Sequence, residues 1–210
     1  MIVLYDYWRS SAAYRVRIAL NHLGLRYETV PVDLLSGAHH SPAHLERNPQ
    51  GLVPALAIDG LMLTQSLAIL EYLDETRDAG FLPRDPAGRA RVRALSLAIA
   101  MEIHPVCNLS VMRYAEEASG GAITQDSWSR HFIGQGLRAV EEMLTPPQTG
   151  PFCHGDRLSL ADLCLVPQIY NARRRGVDLT ALPRISAVMA ALEALPAVRA
   201  AHPDLHRPEG

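Results

Sequence analysis

Trp8-Arg9-Ser10-Ser11-Ala12-Ala13-Tyr14-Arg15-Val16-Arg17-Ile18-Ala19-Leu20 decides how this chain folds. A short apolar and aromatic run over residues 2–7 leads straight into the two serines. From there apolar residues recur at Val16, Ala19, Leu20 and Leu23. That i, i+3, i+4, i+7 spacing makes one buried face of a helix over 11–23, entered directly from a strand. Ser10 and Ser11 therefore stand at a helix start, where backbone N–H groups lack partners inside the helix. Two readings of the pair stand side by side. A serine is the ordinary N-cap and satisfies such groups alone; the same hydroxyls and N–H groups also form a seat for an anion.

Gly24 suits a left-handed helix stop, and residues 27–32 read as a second strand. Strand, helix, strand implies a parallel pair with a right-handed crossover. Residues 55–58 and 61–64 flank Asp59-Gly60, a two-residue hairpin signal, and 66–77 reads as a helix capped by Ser66. The first part is thus βαβ followed by ββα, a small mixed sheet carrying helices. Gly80, Pro83 and Pro86 mark a linker over 78–88, with Phe81 and Leu82 available to pin it. Beyond it the pattern is helical almost throughout, with helices over 89–117, 124–144, 159–174 and 184–195 and a short one after Pro196. Ser159 and Asp162 have the spacing of a capping box, so Asp162 reads as a structural residue and not a catalytic acid.

The 210 residues suffice to bury a core. A formal charge of −2 offers no electrostatic basis for binding nucleic acid or an anionic membrane. No apolar run approaches the roughly 18 residues of a membrane span, and no charged leader precedes an apolar run at the N-terminus. Cys107, Cys153 and Cys164 form neither a paired framework nor a metal-ligand spacing and read as buried small side chains, which suits a reducing compartment. The expectation is a cytoplasmic protein without a metal. His39, His40 and His44 share a loop and are expected to face solvent.

Three features of the first part converge on a small anionic ligand. Ser10-Ser11 opens one helix, Gln65-Ser66 opens another, and Val53-Pro54 lies between them in sequence. Two neighbouring helix N-termini hold two negative groups. Val53-Pro54, ahead of a strand, reads either as a plain entry turn or as a cis turn. The cis form leaves the Val53 main chain for an extended, peptide-like ligand to pair with.

On these residues the chain resembles the glutathione transferase superfamily, and within it the zeta class. The resemblance is carried by Arg9-Ser10-Ser11 with Arg15-Val16-Arg17-Ile18-Ala19-Leu20, Asn48-Pro49, Val53-Pro54 and Gln65-Ser66-Leu67-Ala68-Ile69. It continues through Asn108-Leu109-Ser110-Val111, Gly155-Asp156 before the capping box, and Ala161-Asp162-Leu163-Cys164-Leu165-Val166-Pro167-Gln168, so it covers nearly the whole chain. It implies an α/β thioredoxin-like N-terminal domain over residues 1–80 that binds glutathione, and an all-α helical-bundle C-terminal domain over 86–210 that completes a substrate cleft. It further implies a homodimer that isomerises a cis ene-dione carboxylic acid, maleylacetoacetate, to fumarylacetoacetate in tyrosine or phenylalanine catabolism. Three alternatives fit the same resemblance: maleylpyruvate as substrate, broad transferase action on α-haloacids, and a transferase-fold scaffold without catalysis.

The zeta pattern reads Ser-Ser-Cys, whereas Ala12 stands at the Cys position here. The thiol of glutathione itself must then be the nucleophile, held as a thiolate by a serine hydroxyl and the helix start. Addition to the conjugated carbon makes the double bond single; rotation and elimination follow. The resemblance gives the thiolate contact to Ser10, with Ser11 second. Arg9 takes the substrate carboxylate or enolate, or else is a solvating surface residue. Arg174 is a further carboxylate reader, or part of the Arg173-Arg174-Arg175 run that complements a helix C-terminus. Gln65 and Ser66 suit the γ-glutamyl end of glutathione and Val53 with Pro54 its cysteinyl backbone. His39, or His104 with Asn108, suits the glycyl carboxylate. Pro105 is expected to kink a long helix so that His104, Cys107 and Asn108 line the cleft. Tyr5 and Tyr7, two apart on one strand, read as packing residues.

Overall fold

Strand β1 (Val3–Asp6) runs through a tight turn into helix α1 (Ser11–His22) in a computed structural model that describes residues 1–208. Past Leu23 the chain leaves the helix at Gly24, with φ of 64°, and the Leu25 N–H returns to the Leu20 carbonyl at 3.0 Å. A glycine accepts this left-handed stop without a Cβ clash. Strand β2 (Glu28–Pro31) then pairs parallel to β1, Val3 opposite Glu28.

A one-turn 3₁₀ helix (Ala38–His40) and helix α2 (Pro42–Arg47) follow. Strand β3 (Ala55–Ile58) lies antiparallel to β1, and β4 (Leu61–Thr64) antiparallel to β3, in the order β2-β1-β3-β4. Asp59 and Gly60 between the last two have φ of 52° and 79°, the pair of positive values a type I′ hairpin turn demands. Helix α3 (Ser66–Arg77) closes the set. Val16, Ile18, Ala19 and Leu20 of α1 meet Leu4, Leu56, Ile58, Ile69, Leu70 and Leu73 in the core, all essentially sealed from solvent. Burial of each larger aliphatic side chain contributes about 1.5–3 kcal/mol.

The second stretch is helical. Helix α4 (Pro86–Leu97) starts at Asp85, whose carboxylate accepts the Gly88 N–H at 2.7 Å. Where the sequence pattern runs one helix over 89–117, the structure passes from α4 into a π-helical stretch (Ala98–Ile103), then a turn, then α5 (Leu109–Ala118). Pro105 has no N–H to continue the ladder, so the helix ends and restarts instead of kinking. Asn108 caps the restart by accepting the Leu109 N–H at 2.7 Å, and Trp128 Nε1 donates to the Val106 carbonyl at 2.9 Å. Helices α6 (Gln125–Met143), α7 (Leu160–Arg174) and α8 (Pro183–Glu193) complete this part. Gly136 of α6 sits so close to Ile103 that any Cβ would collide with it, which lets the π-helical stretch press against α6.

Helix α9 (Pro196–Ala200) packs on α1. The chain divides into one compact unit of 1–81 with 193 onward and another of 82–192. The sequence pattern drew the second part from 86 to the end, and the reason for the difference lies in α1. Arg17, 0% exposed, donates to Asp6 at 2.5 Å, to the Trp8 carbonyl at 3.0 Å and to the Ala201 carbonyl at 3.2 Å, while the Tyr14 hydroxyl donates to the Val198 carbonyl at 3.5 Å. A buried guanidinium is tolerated only with such partners, and the C-terminal segment supplies one of them.

All three cysteines are buried and free of disulfides, and burial pushes the Cys107 thiol up to about 11. Among the described residues no helix is long and apolar enough to cross a membrane.

Candidate active site

Ser10 settles the first of the two readings of the serine pair without removing the second. It has extended φ and ψ of −66° and 119°, and its Oγ accepts the Ala13 N–H at 3.2 Å, so it is the N-cap of α1. Capping uses a lone pair; the hydroxyl proton stays available to donate elsewhere. Ser11 is the first helical residue and is buried.

The Val53-Pro54 peptide is cis. The segment leading into it is held from α2: His44 Nε2 and Asn48 Nδ2 both donate to the Leu52 carbonyl, at 2.9 and 2.8 Å, and Asn48 Oδ1 accepts the Gln50 N–H at 3.1 Å. His44 is therefore buried, against the expectation that the loop histidines face solvent. At Gly51, with φ of 62°, a Cβ would crowd the His40 ring and the His39 carbonyl, so only glycine fits. Val53 joins Tyr7 and Val32 in an apolar cluster against which Tyr5, Trp8, Leu34 and Ala38 pack. Tyr5 and Tyr7 are thus packing residues, and Tyr7 also accepts an Arg9 hydrogen bond at 2.9 Å. His39 sits half-buried in the 3₁₀ turn, its ring 3.9 Å from that of His40.

At the start of α3 the expected cap is displaced by one residue. Gln65 occupies the N-cap position with φ of 65° and ψ of 111° and makes no side-chain cap bond; Ser66 is the first helical residue. A non-glycine residue in that region carries about 1–3 kcal/mol of strain, which persists only where the surroundings enforce it. Gln65 Nε2 donates to Gln50 Oε1 at 2.6 Å. Ser66 Oγ accepts from the buried Arg15 guanidinium of α1 at 3.0 Å, which ties the two helix starts together.

Arg9 is half-buried, its guanidinium carbon 4.8 Å from the centroid of the Trp8 ring and 5.8 Å from that of Tyr7. The rings fix it beside the start of α1, and among the described residues it pairs with no carboxylate. Arg47 lies in the same way over Tyr5, at 4.4 Å.

Arg9, Ser10, Ser11, His39, Val53, Pro54, Gln65 and Ser66 all belong to the sheet unit. His104, Asn108 and Arg174 belong to the helical one. The His104 N–H ends the π-helical stretch on the Ile99 carbonyl at 2.9 Å. The Asn108 side chain is occupied as the cap of α5. Arg174 is exposed at the end of α7, donating to Asn171 Oδ1 at 3.0 Å, and it is Arg175 that pairs with Asp126, at 2.7 Å.

Residues that the sequence pattern passed over include Arg15, His44, Asn48 and Arg47. Asn48-Pro49 ahead of the cis turn was the one local signal for this group. Together the sheet unit offers two adjacent helix starts, one capped by a hydroxyl with a proton to spare and one without a side-chain cap. Beside them stand a cis turn fixed from behind and a guanidinium that pairs with no carboxylate among the described residues. Such a set stabilises a thiolate and a carboxylate together.

The family described as glutathione S-transferase, N-terminal domain, matches residues 1–75, and that described as glutathione S-transferase, C-terminal domain, matches 133–206. The maleylacetoacetate isomerase of Rhizobium meliloti (strain 1021) is 61% identical over 208 residues, 98% of each chain. The holo structure of maleyl pyruvate isomerase, a bacterial zeta-class glutathione S-transferase, superposes with a TM-score of 0.93 at 41% identity over 99% of both chains. The maleylacetoacetate isomerase of Methylobacterium extorquens AM1, solved with bound malonate and glutathione, gives a TM-score of 0.93 at 43% identity over 98% of both.

Proposed function

The chain belongs to the glutathione transferase family, and from that premise we propose that it is a glutathione-dependent cis–trans isomerase converting maleylacetoacetate to fumarylacetoacetate. The observation that supports it most is the start of α1: a capping hydroxyl with a free proton, flanked by a guanidinium that pairs with no carboxylate among the described residues.

The residues fit glutathione. Gln65, strained and without a cap bond, offers its helix start to the γ-glutamyl carboxylate with Ser66 beside it. The Val53 main chain, presented by the cis turn, pairs with the cysteinyl backbone as an added strand. Bound there, glutathione supplies the thiolate whose reversible addition frees the substrate double bond to rotate. Ser10 donates its proton toward that sulfur, and the α1 dipole favours the anion. Ala12 brings no competing thiol. Arg9 forks two donors to a carboxylate or an enolate oxygen, and the rings of Tyr7 and Trp8 keep water off one side of it. We further place the protein in the cytoplasm, as three cysteines outside any disulfide suit, and read it as a homodimer. The apolar Leu61 and Met62, about half exposed on the edge strand β4, support the latter.

Turnover of maleylacetoacetate, followed with and without glutathione and compared with maleylpyruvate, tests the reading. Activity should appear only with glutathione; no turnover of either substrate in its presence overturns it. Ser10→Ala should lower kcat/KM by on the order of 100-fold while binding to immobilised glutathione persists.

A further inference from the structure

A second guanidinium reaches the ring that holds Arg9, and it comes from the far end of the chain. Arg207 lies with its guanidinium carbon 5.6 Å from the centroid of Trp8. The segment that carries it is anchored on the same unit. Arg17 holds the Ala201 carbonyl, Tyr14 holds that of Val198, and His206 Nε2 donates to the Ala200 carbonyl at 3.0 Å. The position of Arg207 is thus tied to the start of α1.

Neither Arg9 nor Arg207 pairs with a carboxylate among the described residues. The buried acid beside this segment, Asp6, is engaged with Arg17. Two like charges gathered on one ring repel each other, and the indole face offsets only part of that cost. A ligand with two anionic groups relieves it. Trp8 immediately precedes Arg9-Ser10-Ser11 and packs on the Val53 cluster, so the paired cations border the proposed thiol site.

We propose that Arg207 is a specificity residue that reads the second carboxylate of a dicarboxylate substrate while Arg9 reads the first. The substrate class rests on the isomerase reading, since maleylacetoacetate carries a carboxylate at each end; the pair of cations does not. Arg207 makes no contact with the reacting carbons in this role. It selects for a second charge.

Calorimetric titration of the glutathione-loaded protein with fumarate and with monomethyl fumarate separates the possibilities. Arg207→Gln should weaken fumarate binding about tenfold, the worth of one charge-assisted bond, and change monomethyl fumarate less than about twofold. Arg207→Lys should recover part of the loss. In turnover, Arg207→Gln should raise KM for maleylacetoacetate by a similar factor with kcat within about twofold. Unchanged fumarate affinity overturns the proposal, as does an equal loss for both ligands or a wild-type protein that binds no fumarate. A wild-type protein that binds fumarate through Arg207 yet isomerises neither substrate overturns the isomerase reading and upholds the role of Arg207.

Discussion

Helices α7 and α3 begin in opposite ways. At the start of α7, Asp162 is 0% exposed and accepts three hydrogen bonds, from the Ser159 N–H at 2.8 Å, the Ser159 hydroxyl at 2.6 Å and the Cys153 N–H at 2.8 Å. At the start of α3, Gln65 is exposed, holds a positive φ and caps nothing with its side chain. A helix start that satisfies itself from within the fold serves stability. One that is strained and left open is kept for something that arrives from outside. Ser10 stands between them, a cap whose oxygen is used and whose proton is not.

The contrast predicts effects of different sign. Asp162→Ala orphans three buried donors and should cost on the order of 4 kcal/mol, read as a fall in the denaturant midpoint. A loss under about 1 kcal/mol would break the distinction. Gln65→Gly should do the reverse, stabilising the protein by about 1 kcal/mol as the backbone strain is released, while retention on glutathione resin falls. A variant that is both less stable and fully retained would show that the strain serves the fold.

The smallest effect is one of pH. Burial, and after it the Asp162 carboxylate, push the Cys153 thiol well above its ordinary value, and burial does the same to Cys107, to about 11. A thiol whose pKa is raised by folding resists ionisation there, so stability is intact below the unfolded thiol pKa and declines as pH climbs past it. Unfolding followed from pH 8 to 11 should show that decline, and Cys153→Ala should flatten it.

Much of the sheet unit was legible because its turns are punctuated. Asp59-Gly60 and Gly24 mark conformations that few other residues accept, and the strands and helices fall between them. Helix α2, six residues long, is too short for periodicity to register. The break at Pro105 was visible as a disturbance; that it becomes a stop and a restart depends on Asn108 and on Trp128, which is twenty-two positions from its partner carbonyl. Local chemistry left two readings open for Ser10 and for Val53-Pro54, which the structure resolves as a cap and a cis bond, whereas the burial of the cysteines followed from it. The strain at Gln65 and the burial of His44 did not, because backbone angles and carbonyl partners leave no trace in residue identity. Arg15 and Arg17 were hidden for the same reason: charge in a sequence reads as surface until its partners are known.

Arg17 carries one more consequence, for the order in which the molecule is made. Its Nε partner, the Ala201 carbonyl, lies 184 residues downstream. A ribosome delivers the strands and helices of the first unit long before that carbonyl emerges, so the earliest part synthesised is the last to be completed. Until then a guanidinium meant for the interior lacks one of its partners, and nascent chains halted before Ala201 should remain open to proteolysis around α1.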